Sequence, residues 1–324
     1  MQSKYFVSRI IQTIITLVCV FSLMWLLFRA VPGDPTAIFV SGQLSPEDIE
    51  ALRKMWGLDE PLHIQYLKYM KNVFLGDFGI SFSYREPVWD VILPTIKNTM
   101  ILMIPAMVMA IVTGTIVGSN LGWRRGSGKE KLGVTLSLFA RSFPIYMTGI
   151  LVLMVFSHWL DWLPLSGMKT IGIFGLSWWG RFLDVTHHLA LPFAVAFIYY
   201  VGDVVVIART SMLELIGEEF LEFAKARGLS DSKVRRIAMR NAIIPVITYS
   251  TILIGFAFGG QVLLEMVFAW PGVGRLMVDS VEIHDYPVAQ AAFFIMAFMV
   301  IVANLIVDLL YGYLDPRISI GKTT

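Results

Sequence analysis

The stretch from Glu214 to Pro245 reads ELIGEEFLEFAKARGLSDSKVRRIAMRNAIIP and interrupts a half-chain that is otherwise strongly apolar. Apolar runs long enough to cross a bilayer come immediately before and after it. Its first half has the periodicity of an amphipathic helix. Apolar positions on one face are Phe220, Leu221, Phe223 and Ala224, and charged positions on the other are Glu218, Glu219, Glu222 and Lys225.

Gly228 is placed to end this helix, because glycine adopts a left-handed backbone conformation without steric cost. Ser230 can then cap a second helix, which we predict to run through Arg240. The stretch is therefore predicted to form a helix, a sharp elbow and a helix that re-enters the membrane.

The composition identifies lipid as the main solvent of this chain. Of its 324 residues, 56% are hydrophobic and 15% are charged, whereas about 25% charged residues is usual in soluble domains. A net charge of +2 gives no reason to expect nucleic-acid binding. Cys19 is the single cysteine, which excludes an internal disulfide.

Apolar runs predict an all-α polytopic membrane protein with six transmembrane helices. Residues 1–30 form a short tail and a first span, whose apolar run is longer than the core of a signal peptide. Residues 31–97 are a helical insert outside the bilayer, and 314–324 are a tail. Residues 98–313 form a five-helix core, with spans at about 98–122, 132–156, 189–208, 242–264 and 288–313 and a loop at 209–241.

Basic residues predict the orientation of the spans. The segments on the amino-terminal side carry fifteen Lys and Arg, and the short segments on the opposite side carry three. Because basic residues favour the cytoplasmic side, both termini and the loop 209–241 are predicted to be cytoplasmic and the insert to face outward. The outward loop before the fourth span holds four tryptophans suited to the membrane interface: Trp159, Trp162, Trp178 and Trp179.

The central stretch resembles a known signature. Glu222-Phe223-Ala224, three residues, Gly228 and, further on, Ile243-Ile244-Pro245 resemble the cytoplasmic loop of ABC-importer permeases, whose consensus is Glu-Ala-Ala, three residues, Gly, nine residues, Ile-x-Leu-Pro. Phe223 departs from that consensus, and Pro245 follows Gly228 by seventeen residues instead of thirteen. The longer interval and the text AMRNAIIP are similar to the dipeptide/oligopeptide permease family. Other segments similar to that family are Pro32-Gly33-Asp34-Pro35, Gly57-Leu58-Asp59, Gly76-Asp77, Trp270-Pro271-Gly272, Asp285-Tyr286-Pro287 and Asp315-Pro316-Arg317.

This resemblance implies a type I ABC-importer permease in a prokaryotic inner membrane. It implies a homologous second permease, one or two cytoplasmic ATPase subunits that use ATP and Mg, and an extracytoplasmic substrate-binding protein. The cargo would be di- or oligopeptides, with oligosaccharides or nickel as alternatives. Glu222 and Ala224 would form the docking face for the ATPase, and Gly228 the turn. The full set of implied coupling residues is Glu218, Glu219, Leu221, Glu222, Phe223, Ala224 and Gly228.

Other motifs give no catalytic centre and no cofactor site. The Gly-Lys-Thr at 321–323 resembles the end of a phosphate-binding loop, but position 316 is proline where such a loop needs glycine. His187 and His188 are adjacent, so they point to different faces of a helix and are poorly placed to bind one metal ion. We therefore expect a non-catalytic subunit without a metal.

Ionisable residues inside spans are candidates for the substrate path, because charge in hydrocarbon is costly and such residues usually face a wet cavity or the bundle interior. They are Arg141, Asp203 and Asp308. Asp203, with Tyr199 and Tyr200 nearby, could meet a peptide amine or could make a structural hydrogen bond to a neighbouring helix.

Two other classes of protein stay open, a secondary transporter and an intramembrane enzyme, although the chain shows neither an internal repeat nor a convergent polar site.

Close helix packing is predicted from a repeat of small residues. Gly114, Gly118 and Gly122 recur at every fourth position of the second span. Small residues at this spacing let two membrane helices approach closely.

Overall fold

A computed structural model of the chain describes residues 2–30, 59–173, 175–259 and 261–314. Every regular element within these ranges is a helix, and one isolated antiparallel bridge joins Ile80 and Pro87. The helices are α1 (Gln2–Ala30), α2 (Leu62–Leu75), α3 (Val88–Trp123), α4 (Gly128–Ser142), α5 (Ile145–Leu153), α6 (Trp178–Leu215), α7 (Glu219–Ala226), α8 (Asp231–Gly259), α9 (Val262–Val267), α10 (Val273–Glu282) and α11 (Tyr286–Leu314).

Several of these helices can cross a bilayer. Helices α1, α3, α6 and α11 are long and apolar enough to do so over Phe6–Ala30, Val88–Trp123, Trp178–Leu215 and Tyr286–Ile306. The pair Gly128–Ser142 and Ile145–Trp159 qualifies as a fifth candidate if its two helices count together. Helix α8, which covers residues 242–259 of the predicted span 242–264, is not among the candidates found in the described residues. The all-α membrane class is confirmed, and the count of six spans stays a prediction.

The predicted span 132–156 is broken by a sharp bend. Helix α4 ends at Ser142, and α5 starts at Ile145 at an angle of 92° to it. Between them Phe143 has an extended backbone, with φ −88° and ψ 137°. The ring of Pro144 disfavours a helical conformation in the residue before it, which accounts for the break. A π-helical turn, Met154–Trp159, continues α5.

The chain forms two compact units. The first consists of Met1–Lys97 and Gly272–Thr324, and the second of Asn98–Pro271. In the described part of the first, α1 and α10 both pack along α11. Phe21 and Phe294 meet there with ring centroids 4.1 Å apart. The loop before α3 is fixed by Asp285, a fully buried carboxylate that accepts hydrogen bonds from the Ser81 hydroxyl and from the backbone N–H groups of Phe82 and Ser83.

The second unit is organised around α6, against which α4, α5 and α8 pack. Its apolar core includes Leu102, Met103, Val195, Leu264 and Trp270.

Three glycines of α3 lie directly against α6. A Cβ atom at Gly118 would lie 2.3 Å from the backbone oxygen of Val205, and one at Gly122 would lie 2.8 Å from that of Arg209. A Cβ at Gly114 would lie 2.6 Å from the Cβ of Val204. The predicted close packing through these glycines is confirmed, since a side chain at any of them would collide with α6.

Some predictions concern residues that the structure does not describe. The first half of the insert, at 31–58, and the tail, at 315–324, lie outside the described residues, as does the side chain of Asp308. The division into tail, insert and core therefore stays a prediction.

Candidate functional site

Helix α7 lies between α6 and α8 in the sequence, and one of its faces is buried. Leu221 and Ala224 pack against Met212 of α6 and against three residues of α8. The α8 residues are Val234, Ala238 and Ala242. The predicted short amphipathic helix is therefore present, and it is attached by its apolar face to the two helices that flank it in sequence.

The opposite side of α7 is exposed and carries two phenylalanines. Phe220 is exposed, and 63% of the Phe223 side chain is open to solvent. The Arg227 guanidinium lies 5.8 Å from the centre of the Phe223 ring, within the range of a cation–π contact. Glu219 and Glu222 are exposed next to these rings. The accessible surface of α7 therefore combines aromatic and acidic groups.

The residues predicted for ATPase coupling do not all lie on one exposed face, and their role stays a prediction. Leu221 and Ala224 are buried against α6 and α8, whereas Glu222 is exposed. The reason is helical geometry, because at about 100° per residue the pair at 221 and 224 lies about 100° around the helix from the pair at 220 and 223. The apolar stripe is thus divided between an inner half and an outer half.

Gly228 forms the elbow after α7. Its φ is +77°, its N–H donates to the Lys225 oxygen at 2.9 Å, and the Leu229 N–H donates to the Ala224 oxygen at 3.3 Å. These two hydrogen bonds define a Schellman motif, which ends a helix at a left-handed residue. No atom lies within 4 Å of a Cβ built at Gly228. Glycine is therefore favoured here by backbone conformation and not by space.

The second helix is longer than predicted. It starts at Asp231, as expected from Ser230, but continues past Arg240 to Gly259 with Pro245 inside it. The Ser230 carbonyl accepts hydrogen bonds from the N–H groups of Lys233 and Val234. The second helix predicted in the loop and residues 242–259 of the predicted span 242–264 therefore form one continuous helix.

A partly buried ion pair that sequence reasoning missed joins α4 to α6. Glu130 is buried and its Oε1 accepts hydrogen bonds from the Arg209 side chain, with Nε at 3.0 Å. Its Oε2 accepts the Gly126 N–H at 2.7 Å, while its own N–H donates to the Ser127 hydroxyl at 3.2 Å. The sequence signal was the text Ser127-x-x-Glu130, which is typical of a capped helix start. The pair with Arg209 has no such local signal.

Asp203, predicted on the substrate path, is engaged by two other helices. Its Oδ1 lies 3.0 Å from Nη1 of Arg141 on α4, and its Oδ2 accepts the Tyr249 hydroxyl of α8 at 2.9 Å. Asp203 is therefore not presented as a free carboxylate for a peptide amine, and the structural hydrogen bond considered as the alternative is present. Tyr200 is buried and accepts a hydrogen bond from the Gln261 amide, and Tyr199 meets the Tyr200 ring edge-on.

Each of the two adjacent histidines contacts a backbone carbonyl oxygen through one ring nitrogen. His187 Nε2 lies 3.2 Å from the carbonyl oxygen of Trp162, and His188 Nδ1 lies 2.9 Å from that of Asp184. Within the described ranges, no group of three or more His, Cys, Asp or Glu side chains is arranged to hold a metal ion.

Comparison with known sequences decides the family. Residues 123–320 match the family described as "Binding-protein-dependent transport system inner membrane component", and residues 2–103 match "Binding-prot-dependent transport system membrane comp, N-term". This chain belongs to the binding-protein-dependent transport system inner membrane components. The coupling-loop resemblance read from the sequence is consistent with that membership.

Two relatives of this inner membrane component are similar over nearly their whole length. This chain is 35% identical over 316 residues to the glutathione transport system permease protein GsiC of Salmonella paratyphi A (strain ATCC 9150 / SARB42), and the match covers 97% of this chain and 98% of the relative. It is 35% identical over 339 residues to the dipeptide transport system permease protein DppB of Escherichia coli (strain K12), covering 98% and 99%. The resemblance to dipeptide/oligopeptide permeases is confirmed.

Proposed function

We propose that this protein is the permease subunit of an ATP-driven ABC importer of di- or oligopeptides. The family supports a subunit of a binding-protein-dependent system, and the two relatives are named for glutathione and dipeptide transport. In this proposal the chain crosses a prokaryotic inner membrane six times with both termini cytoplasmic. It forms half of the translocation path with a homologous second permease and receives peptide from an extracytoplasmic binding protein.

The observation that carries the proposal is the two-sided character of α7. Its inner face is buried through Leu221 and Ala224, while its outer face exposes Phe220, Glu222 and Phe223. Exposed aromatic side chains are enriched in protein interfaces, where they act as anchors. We propose that these rings and the neighbouring carboxylates dock into a groove on a cytoplasmic ATPase subunit, which binds and hydrolyses ATP with Mg.

The attachment of α7 gives this docking a mechanical consequence. Because Leu221 and Ala224 pack on both α6 and α8, a displacement of α7 acts on both helices together. The Schellman motif at Gly228 fixes the angle at which α8 leaves. In the proposed cycle, ATP binding closes the ATPase pair and moves α7, the path opens outward to accept peptide, and hydrolysis resets it.

Site-specific crosslinking tests the docking. Cys19 is the one cysteine of the chain, so Cys19→Ser gives a background in which Phe223→Cys carries the only thiol of this chain. With a maleimide–benzophenone reagent on the copurified complex, we expect an ATPase adduct whose yield changes when ATP is added. Phe74→Cys on α2 is a matched control, because Phe74 is 62% exposed and Phe223 is 63% exposed. Adducts with lipid only, or equal ATPase adducts at both positions, would contradict the proposal.

A further inference from the structure

Arg141 is an unusual residue for the predicted span 132–156, which qualifies as a membrane span if α4 and α5 count together. It lies in α4, about 20 Å along that helix from Gly128 at 1.5 Å per residue, and 46% of its side chain is exposed. A guanidinium in contact with hydrocarbon is costly, so a half-exposed arginine within a span is expected to face water or another polar surface. Its exposed edge therefore marks a wet or polar environment beside α4.

The position of this guanidinium is fixed by three helices. At Gly202 of α6 a Cβ atom would lie 2.7 Å from the Ser137 backbone oxygen, so α4 and α6 approach closely one turn before Arg141. The next residue, Asp203, bonds Arg141 with one oxygen and accepts the Tyr249 hydroxyl with the other. Arg141 is thus held by a carboxylate that is itself oriented from α8.

Arg141 has more hydrogen-bond donors than its contact with Asp203 uses. A guanidinium carries five N–H donors, and the contact with Asp203 involves Nη1. Within the described part of the chain, Asp203 is the single partner recorded for Arg141, and it is much less exposed, at 17%. A ligand approaching this cluster from outside would therefore meet the cation and not the anion.

We propose that Arg141 is a carboxylate-binding residue on the transport path, which takes the terminal carboxylate of a passing peptide while Asp203 and Tyr249 hold its guanidinium in place. The planar fork of arginine matches a carboxylate through two parallel hydrogen bonds. The adjacent Asp203 offsets the positive charge, which keeps the attraction weak enough for release, as any transport path requires. This inference rests on the proposed peptide import.

Asp203 and Arg141 have different roles in this proposal. For Asp203 the sequence left two readings open, a contact with a peptide amine or a structural hydrogen bond, and both of its oxygens are engaged within the protein. Tyr249 is the member of the cluster that no sequence signal marked, because it lies 46 positions from Asp203 along the chain. We assign to Asp203 and Tyr249 a positioning role and to Arg141 the contact with the ligand.

Thiol labelling beside Arg141 tests the proposal. In the Cys19→Ser background, Leu138→Cys lies one turn before Arg141 on the same side of α4, and Leu136→Cys lies about 140° around the helix from Arg141. Both leucines are exposed. The complex in lipid nanodiscs is treated with an anionic sulfonatoethyl or a cationic trimethylammonioethyl methanethiosulfonate, with and without the dipeptide Ala-Ala or its C-terminal amide.

We expect the Leu138→Cys thiol to react with both reagents and to react faster with the anionic one. The ratio of the two rates should fall several-fold in the variant that also carries Arg141→Gln. Ala-Ala should slow this reaction and its amide should not, whereas Leu136→Cys should show neither effect. The peptide comparison needs only native Arg141, so it decides the matter even if Arg141→Gln fails to fold. An unreactive Leu138→Cys, or equal protection by acid and amide, would overturn the inference.

ATP-driven uptake of Ala-Ala by the wild-type complex in proteoliposomes distinguishes a failure of the proposed peptide import from a failure of the proposed carboxylate site at Arg141. Absence of uptake contradicts the proposed peptide import itself. If uptake occurs but Ala-Ala and its amide protect Leu138→Cys equally, the proposed peptide import stands and only the carboxylate site at Arg141 is contradicted.

Discussion

Leu221 and Phe223 lie two positions apart on α7 and have opposite environments, with 2% of Leu221 and 63% of Phe223 exposed. Leu221 contributes to the cluster that joins α7 to α6 and α8. Phe223 contributes to the surface that faces away from them. Substitutions at these two positions should therefore have different consequences, one on folding and one on binding.

Phe223→Ala should weaken association with the ATPase and leave the chain folded. Removing an aromatic anchor from the centre of an interface commonly costs about 2 kcal/mol or more, which corresponds to a loss of affinity of roughly thirtyfold or more. Copurification of the ATPase with the tagged chain measures this loss. Phe74→Ala is the control, and equal ATPase recovery with both variants would contradict the docking role of Phe223.

Leu221→Ala should destabilise the packing of α7 on α6 and α8. Truncation of a buried leucine costs about 2–5 kcal/mol, while Leu221→Met should cost less than about 1.5 kcal/mol because it keeps the volume. Limited proteolysis between α6 and α8 reports the effect, with faster cleavage expected for the alanine variant alone. Unchanged cleavage of Leu221→Ala would show that this contact does not hold α7.

Gly228→Val should abolish ATP-driven uptake and leave membrane insertion intact. A β-branched residue tolerates a φ of +77° poorly, although space for its side chain is available. Gly228→Asn is the matched control, because asparagine adopts the left-handed conformation more readily and should retain most of the uptake. Normal uptake by the valine variant would remove the elbow from the mechanism.

Gly118→Ala should lower the yield of folded protein, because its Cβ would collide with the Val205 backbone oxygen. Backbone cannot yield as a flexible side chain can, so α3 and α6 would have to separate. Gly128→Ala adds the same methyl group where no atom lies within 4 Å. Monodisperse protein in size-exclusion chromatography measures the difference, and equal yields would contradict the close packing.

The Glu130–Arg209 pair should show energetic coupling. Each single alanine variant leaves a charged partner uncompensated, whereas the double variant removes both, so its destabilisation should be smaller than the sum of the two. For residues in one hydrogen-bonded pair the expected coupling is about 0.5–3 kcal/mol. Thermal unfolding of the wild type, both single variants and the double variant gives the value, and strict additivity would show that the pair does not stabilise the fold.

The features that sequence reasoning predicted are local ones. Helix α7 and the elbow at Gly228 follow from periodicity within fifteen residues and from the conformational freedom of glycine. The close approach of α3 follows from three glycines at fixed spacing. Pro144 is an equally local signal for the break between α4 and α5, but the prediction of one continuous span at 132–156 followed the apolar run and missed that break.

The features that it missed depend on contacts between distant positions. Periodicity defines the apolar stripe of α7, but it does not tell where α6 and α8 lie around the helix. Their positions determine that Ala224 is buried and Phe223 is exposed. The contacts of Glu130 with Arg209 and of Asp203 with Tyr249 join different helices. Each of these side chains has many potential partners of suitable chemistry, and helix packing selects among them.

The most direct test of the account is uptake of radiolabelled Ala-Ala by proteoliposomes that contain the copurified complex and its binding protein. We predict accumulation against a gradient that requires ATP and that is lost with Phe223→Asp, whose charge would disrupt the aromatic contact with the ATPase. Accumulation driven by an ion gradient without ATP, or unchanged ATP-driven accumulation with Phe223→Asp, would contradict the claim that force enters the permease through α7.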